Sequence, residues 1–323
     1  MIEDLARQVL AGDRAALARA ITLVESSRED HRAGARVLIN RVLPNTGNSI
    51  RVAITGVPGV GKSTFIESLG CYLTGRGERV AVLAIDPSSP VSGGSIMGDK
   101  TRMPRLSADR LAFVRPTPTG GGLGGVHRNT RETILLCEAA GFSNVLVETV
   151  GVGQSEFAVT AMTDFLLLLL LPNAGDELQG IKRGIVEVAG LIAVNKADSS
   201  RASAGLAKRH YENAVAYLPA AESGWTTPVM TCSGLTGQSV AGVWDAVLRY
   251  RGLTRENGYF QRRRQSQMVQ WMDEELRDGL ERMVAASPEA GRLRAAVEAG
   301  QLSPGEAAAR VLSGFRAEQP AGK

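Results

Sequence analysis

Residues 56–64 read GVPGVGKST, the spacing G-x-x-x-x-G-K-[ST] set between an apolar run and a helical pattern. Glycine lets a backbone wrap closely around a phosphate chain with its N–H groups turned inward. Gly56, Val57, Pro58, Gly59, Val60, Gly61, Lys62, Ser63 and Thr64 are therefore expected to cradle a nucleotide's phosphates. The helix starting near Lys62 adds its positive dipole end. Lys62 would reach the β- and γ-phosphates, and the Ser63 hydroxyl would ligate magnesium. At average residue frequencies the pattern arises by chance in about one chain in a hundred of this length, and the strand–loop–helix context makes chance rarer still.

A second motif, NKAD, spans residues 195–198 directly after an apolar run at 191–194. Guanine presents two donors on one edge, and a single carboxylate, Asp198, can accept both; adenine offers no such pair. Asn195 and Lys196 complete the motif, the lysine's alkyl chain lying along the base. The run TCSGLTG, 231–237, follows the last apolar run. Small residues around Ser233, Gly234 and Leu235 would let backbone N–H groups approach the guanine oxygen; the alternative is an ordinary strand-to-helix turn.

The third motif is ETVGVGQSE, 148–156. Glu148 takes the place of the acid in a D-x-x-G element and would hold magnesium. The Gly151 N–H would bond the γ-phosphate and sense its loss. Val152 follows where a water-orienting group would stand, and Gln154 is out of register, so no in-register catalytic glutamine is present. Asp86 ends another apolar run and begins DPSSP, a position suited to a magnesium or water ligand. Asp99, in SIMGDKTRM, either closes over the phosphates or is an exposed loop aspartate. His31, His127 and His210 are isolated and read as surface or satisfied core residues.

The elements that must position these residues alternate. Apolar β-rich runs at 51–55, 80–85, 111–114, 145–147, 165–171, 191–194 and 228–231 are separated mostly by helical patterns. The expected fold class is α/β: a mostly parallel sheet forming a P-loop GTPase domain, flanked by N-terminal helices and a C-terminal helical dimerisation segment. Ligands of such sheets bind beyond the carboxyl ends of the strands, where every motif above falls. The expected division is an N-terminal helical segment, 1–48, the GTPase domain, 49–252, and a C-terminal helical arm, 253–323. Two amphipathic helices are expected over 1–43, with a turn-rich linker, PNTGNS, at 44–49. A long helical pattern at 254–285 carries Met268, Trp271, Met272, Leu276, Leu280 and Met283, and Pro288 and Pro304 each open a short helix.

Bulk properties narrow the classes. Lysine and arginine exceed acids by 37 to 33, and the densest basic cluster, Arg262 to Arg264, sits among acids; it reads as a solvated helix face rather than a nucleic-acid stripe. The three cysteines, Cys71, Cys137 and Cys232, have no metal-ligand spacing and fit reduced thiols. The first 20 residues mix charges with apolar positions, unlike a signal peptide, and the apolar run 165–171 is too short to span a bilayer. A cytoplasmic enzyme is expected, with no nucleic-acid or membrane partner.

GVPGVGKST, DPSSP, SIMGDKTRM, ETVGVGQSE, LPNAGDELQGIKRGI and NKAD, in this order, resemble the methylmalonyl-CoA mutase-associated GTPase family, the MeaB/ArgK type, over roughly residues 1–300. The resemblance implies a P-loop protein of the signal-recognition-particle/MinD/BioD class. Such a protein spends GTP to gate adenosylcobalamin delivery to methylmalonyl-CoA mutase and to protect and reactivate that enzyme. It implies a homodimer paired through C-terminal helices and a Mg2+ shell of Ser63, Asp86, Asp99 and Glu148. Phosphate would be held by Lys62 and the 56–64 loop, and guanine by Asp198 with the 233–235 turn. Residues 173–183, around GDELQGIKRG, become the expected transmitter to the mutase; without the resemblance they read only as a helix start with Asp176 and Glu177 in its first turn. The D-x-H-x-x-G signature of many cobalamin-binding domains is absent, which fits an indirect role. The alternatives are a metal-insertion GTPase, for which the cysteines and histidines are too scattered, and a P-loop kinase, against which NKAD argues.

Overall fold

In the computed structural model, the seven apolar runs pair into one parallel sheet of order β3-β2-β4-β1-β5-β6-β7. The structure describes residues 1–26, 28–86, 103–118, 123–149, 158–172 and 183–317. The strands are β1 (Ile50–Thr55), β2 (Val80–Asp86), β3 (Ala112–Pro118), β4 (Asn144–Glu148), β5 (Phe165–Leu170), β6 (Leu191–Val194) and β7 (Val229–Thr231). Each lies within two residues of its expected start.

Helices cover both faces of the sheet, which is why whole strands are apolar rather than alternating. On one face, Val52, Ile54, Leu146, Leu167 and Leu169 pack with Phe65, Ile66, Leu69 and Leu73 of α4 (Lys62–Thr74). Trp244, Val247 and Tyr250 of α9 (Val240–Glu256) join the same cluster. The short α5 (Pro104–Ala108) also packs there: a Cβ at Gly70 would lie 2.4 Å from a Leu106 methyl, so a larger residue would force the Leu106 side chain aside. The chain also forms α6 (Leu123–Ala139), α7 (Arg183–Val188) and α8 (Arg201–Ala216).

Three helices, not two, precede the sheet: α1 (Ile2–Leu10), α2 (Arg14–Glu25) and α3 (Glu29–Val42), with α2 and α3 packed on α6. The first break is local. Gly12 adopts φ +78°, and the Asp13 carboxylate accepts from the Ala15 and Ala16 N–H groups, capping α2. A similar break at Gly258 (φ +74°) makes the long C-terminal helix, α10, begin at Tyr259 and run to Ala286.

The chain divides into two compact units, Met1–Gln267 and Met268–Lys323, and the division falls inside α10. In the first unit, the Arg262 to Arg264 cluster is only in part a solvated face: Arg262 is exposed and Arg263 half-buried. Arg264 is buried and donates from Nε and Nη2 to the two Asp164 oxygens (2.8 and 2.7 Å) and from Nη2 to Ser49 O (2.9 Å). Glu138 accepts from Arg51 Nε and Nη2 (2.8 and 2.7 Å), closing a buried, charge-balanced quartet of Arg51, Glu138, Asp164 and Arg264. Burial alone would raise the Glu138 pKa. Hydrogen bonds from Arg51, with the attraction of Arg51 and Arg264, outweigh it and hold the carboxyl at about 2. Arginine's fixed fork of donors suits it to such a site, which spacing along one helix could not reveal.

The second unit contains the remainder of α10 with α11 (Pro288–Glu298) and α12 (Pro304–Ala317). Both prolines open their helices, behind Ser287 and Ser303, whose hydroxyls cap the first turns. Along α10, Met268, Val269, Met272, Leu276, Leu280 and Met283 are exposed. No described helix is long and apolar enough to cross a membrane.

Candidate nucleotide site

β1 lies at the centre of the sheet, and the chain turns from β4 and β2 on one side of it to β5 and β6 on the other. The crevice beyond its carboxyl end is where ligands of open parallel sheets bind. Residues 56–64 leave β1 there. Gly56 has φ +147°, and a Cβ on it would lie 2.3 Å from Leu169 O; no other residue fits against β5. Gly61, at φ +94°, is the N-cap of α4. Val60 is fully buried and anchors the loop to the core, whereas Pro58, Gly59 and Thr64 are exposed. Lys62 is buried, and its Nζ donates across the loop to Gly56 O (2.7 Å) and Val57 O (3.2 Å). A desolvated ammonium therefore sits inside the backbone loop, with the first turn of α4 beside it.

β4 ends in Glu148, which registers between Ile54 of β1 and Ala84 of β2. Ser63 Oγ donates to Glu148 Oε1 at 2.7 Å. A hydroxyl and a carboxylate side by side at the mouth of a phosphate loop form a hard-oxygen donor pair, the chemistry Mg2+ selects. Asp86 is the last residue of β2, two positions beyond Ala84, but its side chain lies outside the described residues. Asp99, Gly151 and residues 173–182 lie wholly outside them. Thr149 extends the β1–β4 pairing by one residue: its N–H donates to Ile54 O, and its hydroxyl to Thr55 Oγ1 at 2.9 Å.

NKAD follows β6 and reaches the phosphate loop through its first two residues. Asn195 is buried; its Nδ2 donates to Val60 O (2.9 Å), and its Oδ1 accepts from the Gly234 N–H (2.9 Å) and the Cys232 thiol (3.6 Å). One amide thus ties the phosphate loop to the 233–235 turn. Lys196, at φ +58°, extends over the loop and donates from Nζ to Gly59 O (2.7 Å). Asp198 is exposed beside them.

The 233–235 turn packs against the start of α4. A Cβ on Gly234 would lie 2.8 Å from Phe65 Cα, so this glycine is required by close approach. Ser233 Oγ accepts from the Thr236 N–H (3.1 Å), and Leu235 points outward, 77% exposed. Burial pushes the neighbouring Cys232 thiol up to about 12, which leaves it a weak donor and not a nucleophile. The phosphate loop, Glu148, NKAD and the 233–235 turn therefore share one crevice. The Asn195 bridge between loops is not legible in the motif alone, which marks the asparagine without saying what it holds.

The family model for the methylmalonyl-CoA mutase-associated GTPase MeaB matches residues 17–289. The chain is 46% identical over 267 residues to the Escherichia coli GTPase ArgK, covering 82% of this chain and 81% of that one. It is 42% identical over 330 residues to the mouse methylmalonic aciduria type A homolog, mitochondrial, covering 98% and 80%. The crystal structure of a LAO/AO transport system kinase superposes with a TM-score of 0.77 at 34% identity, over 98% of this chain and 97% of that one.

Proposed function

The chain belongs to the methylmalonyl-CoA mutase-associated GTPase family, and from that premise we propose a GTP-hydrolysing chaperone that gates adenosylcobalamin loading and protects and reactivates methylmalonyl-CoA mutase. The observation that carries the nucleotide half is the Asn195 bridge: it brings the phosphate loop and the base-reading loops into one crevice. The mutase half rests on family membership.

Within this reading, the 56–64 backbone and Lys62 bind the phosphates, and Lys62 offsets charge that grows on the transferring group. Asp198 and the 233–235 turn read guanine, and Lys196 covers the base. Ser63 and Glu148, joined by Asp86 and Asp99, would hold Mg2+, whose charge neutralises the phosphate oxygens when bound. The loop 148–156 senses the γ-phosphate through the Gly151 N–H. With Val152 in place of a water-orienting side chain, hydrolysis by the protein alone is slow, because positioning is most of catalysis in phosphoryl transfer. The mutase corrects this by engaging residues 173–183, so GTP cleavage depends on the state of the partner. The exposed apolar stripe of α10, from Met268 to Met283, supports a homodimer that pairs through the C-terminal helices.

The test is GTP turnover with and without a cobalamin-dependent acyl-CoA mutase, in wild type, in Ser63→Ala and in Gln179→Ala/Lys182→Ala. Slow intrinsic turnover, marked stimulation by the mutase, and loss of that stimulation in the double variant are expected, with Ser63→Ala inactive throughout. Fast turnover alone, or stimulation unchanged in the double variant, would overturn the coupling.

A further inference from the structure

Successive side chains of a strand point to opposite faces. Val52 and Ile54 of β1 and Leu146 of β4 belong to the core on the α4 side of the sheet. The register Ile54↔Glu148 puts the Glu148 carboxylate on that same side, where Ser63 meets it at 2.7 Å. The next residue of each chain, Thr55 and Thr149, therefore turns to the opposite face. There the Thr149 hydroxyl lies 2.9 Å from Thr55 Oγ1 and 3.4 Å from Ile54 O, while the Thr149 N–H donates to the same Ile54 carbonyl at 3.1 Å. Both threonines are buried.

Packing alone does not ask for these hydroxyls. Ala53, Val145 and Val147 share that face by alternation and are apolar and buried. Valine has the same β-branched shape and the same preference for strands. Two buried hydroxyls bonded to each other add little net stability over a pair of apolar groups of that shape. What the pair adds is position. Thr55 leads directly into Gly56, whose carbonyl accepts from Lys62 Nζ at 2.7 Å, and Thr149 directly follows Glu148. The β1–β4 pairing is thereby cross-linked one residue past Glu148, at the level where the phosphate loop leaves β1. Mg2+ demands near-octahedral oxygen geometry, so a carboxylate free to shift along its strand would bind it less well.

We propose that Thr55 and Thr149 are positioning residues for the magnesium half of the site: their hydroxyl pair, on the reverse face of the sheet, fixes the depth at which Glu148 and Ser63 share a cation. The inference rests on the reading of Ser63 and Glu148 as magnesium ligands.

The experiment uses the full chain. It measures GDP affinity by calorimetry with Mg2+ and with EDTA, the Mg2+ concentration that half-restores tight GDP binding, and urea unfolding of the unliganded protein. Wild type should bind GDP more tightly with Mg2+, and Glu148→Gln should lose that gain. Thr149→Val and the double variant Thr55→Val/Thr149→Val should each raise the half-restoring Mg2+ concentration about fivefold, the effect of roughly one neutral hydrogen bond. Their GDP affinity in EDTA should stay that of wild type, and Thr149→Ser, which keeps the hydroxyl, should restore the wild-type Mg2+ response. The double variant removes both hydroxyls and strands neither, so it decides through the same readouts if Thr149→Val does not fold. Valine variants that unfold at lower urea yet keep the wild-type Mg2+ response would show that the pair only stabilises the fold, and would overturn the proposal. If Glu148→Gln keeps that response as well, the magnesium reading of Ser63 and Glu148 falls with it; if Glu148→Gln loses it, that reading stands and the positioning role alone is refuted.

Discussion

Replacing Asn195 separates the two loops it joins, and two substitutions do so differently. In Asn195→Asp, the carboxylate still accepts from the Gly234 N–H but turns an acceptor toward Val60 O, now 2.9 Å from a donor. One buried hydrogen bond is lost and two oxygens face each other. In Asn195→Ala, all three side-chain bonds go, including the weak one from the Cys232 thiol, leaving a buried N–H and a buried carbonyl unpaired. A lost bond with a stranded buried partner costs about 1–3 kcal/mol, so each variant should cost on the order of 2–4 kcal/mol in all. Nucleotide binding requires both loops in register, so most of the cost should fall on binding: GTP affinity about 30- to 1,000-fold weaker at about 1.4 kcal/mol per tenfold. Calorimetric GTP titration, paired with urea unfolding of the unliganded protein, separates the two. If either variant binds GTP within threefold of wild type while unfolding at lower urea, the bridge is merely structural and the reasoning fails.

Asp198→Asn should shift preference from guanine to xanthine nucleotides, because an amide donates to the xanthine C2 carbonyl and cannot accept both guanine protons; unchanged GTP binding by calorimetry would remove NKAD as the base reader. Glu138→Gln should destabilise the fold by about 3 kcal/mol at neutral pH, as the drop of this carboxyl from 4.5 to about 2 implies. Because the folded pKa lies below the unfolded one, that stability is present above about pH 4.5 and lost as pH falls toward 2, so the urea-measured gap between wild type and variant should close over this window; a gap constant with pH would refute the assignment. A chain ending at Gln267 should remain folded, bind GTP and run as a monomer in light scattering, whereas one ending at Gly252 should be unstable, since it strips buried Phe260 and Arg264 from the first unit. A dimeric 1–267 chain would place the pairing surface elsewhere.

What the sequence determined is what depends on near neighbours. The glycines of GVPGVGKST set the loop's left-handed turns, the apolar runs set seven strands, and Pro288 and Pro304 set two helix starts, because φ/ψ sterics and missing N–H groups act over a few residues. The Gly12–Asp13 break was equally local: a cap signal inside what reads as one amphipathic stretch. Tertiary structure alone decided which of these pieces touch. The Ser63–Glu148 contact spans 85 positions, the bond from Asn195 to Val60 spans 135, and the pairing of Arg264 with Asp164 spans 100. Each follows from strand order and register, which place β4 beside β1, bring β6 round to the phosphate loop and leave α10 across the start of β5. A motif names residues able to hydrogen-bond, but whether a charged side chain such as Arg264 meets water or a buried carboxylate is settled by what the folded chain brings against it, since a buried charge persists only where a partner replaces its hydration.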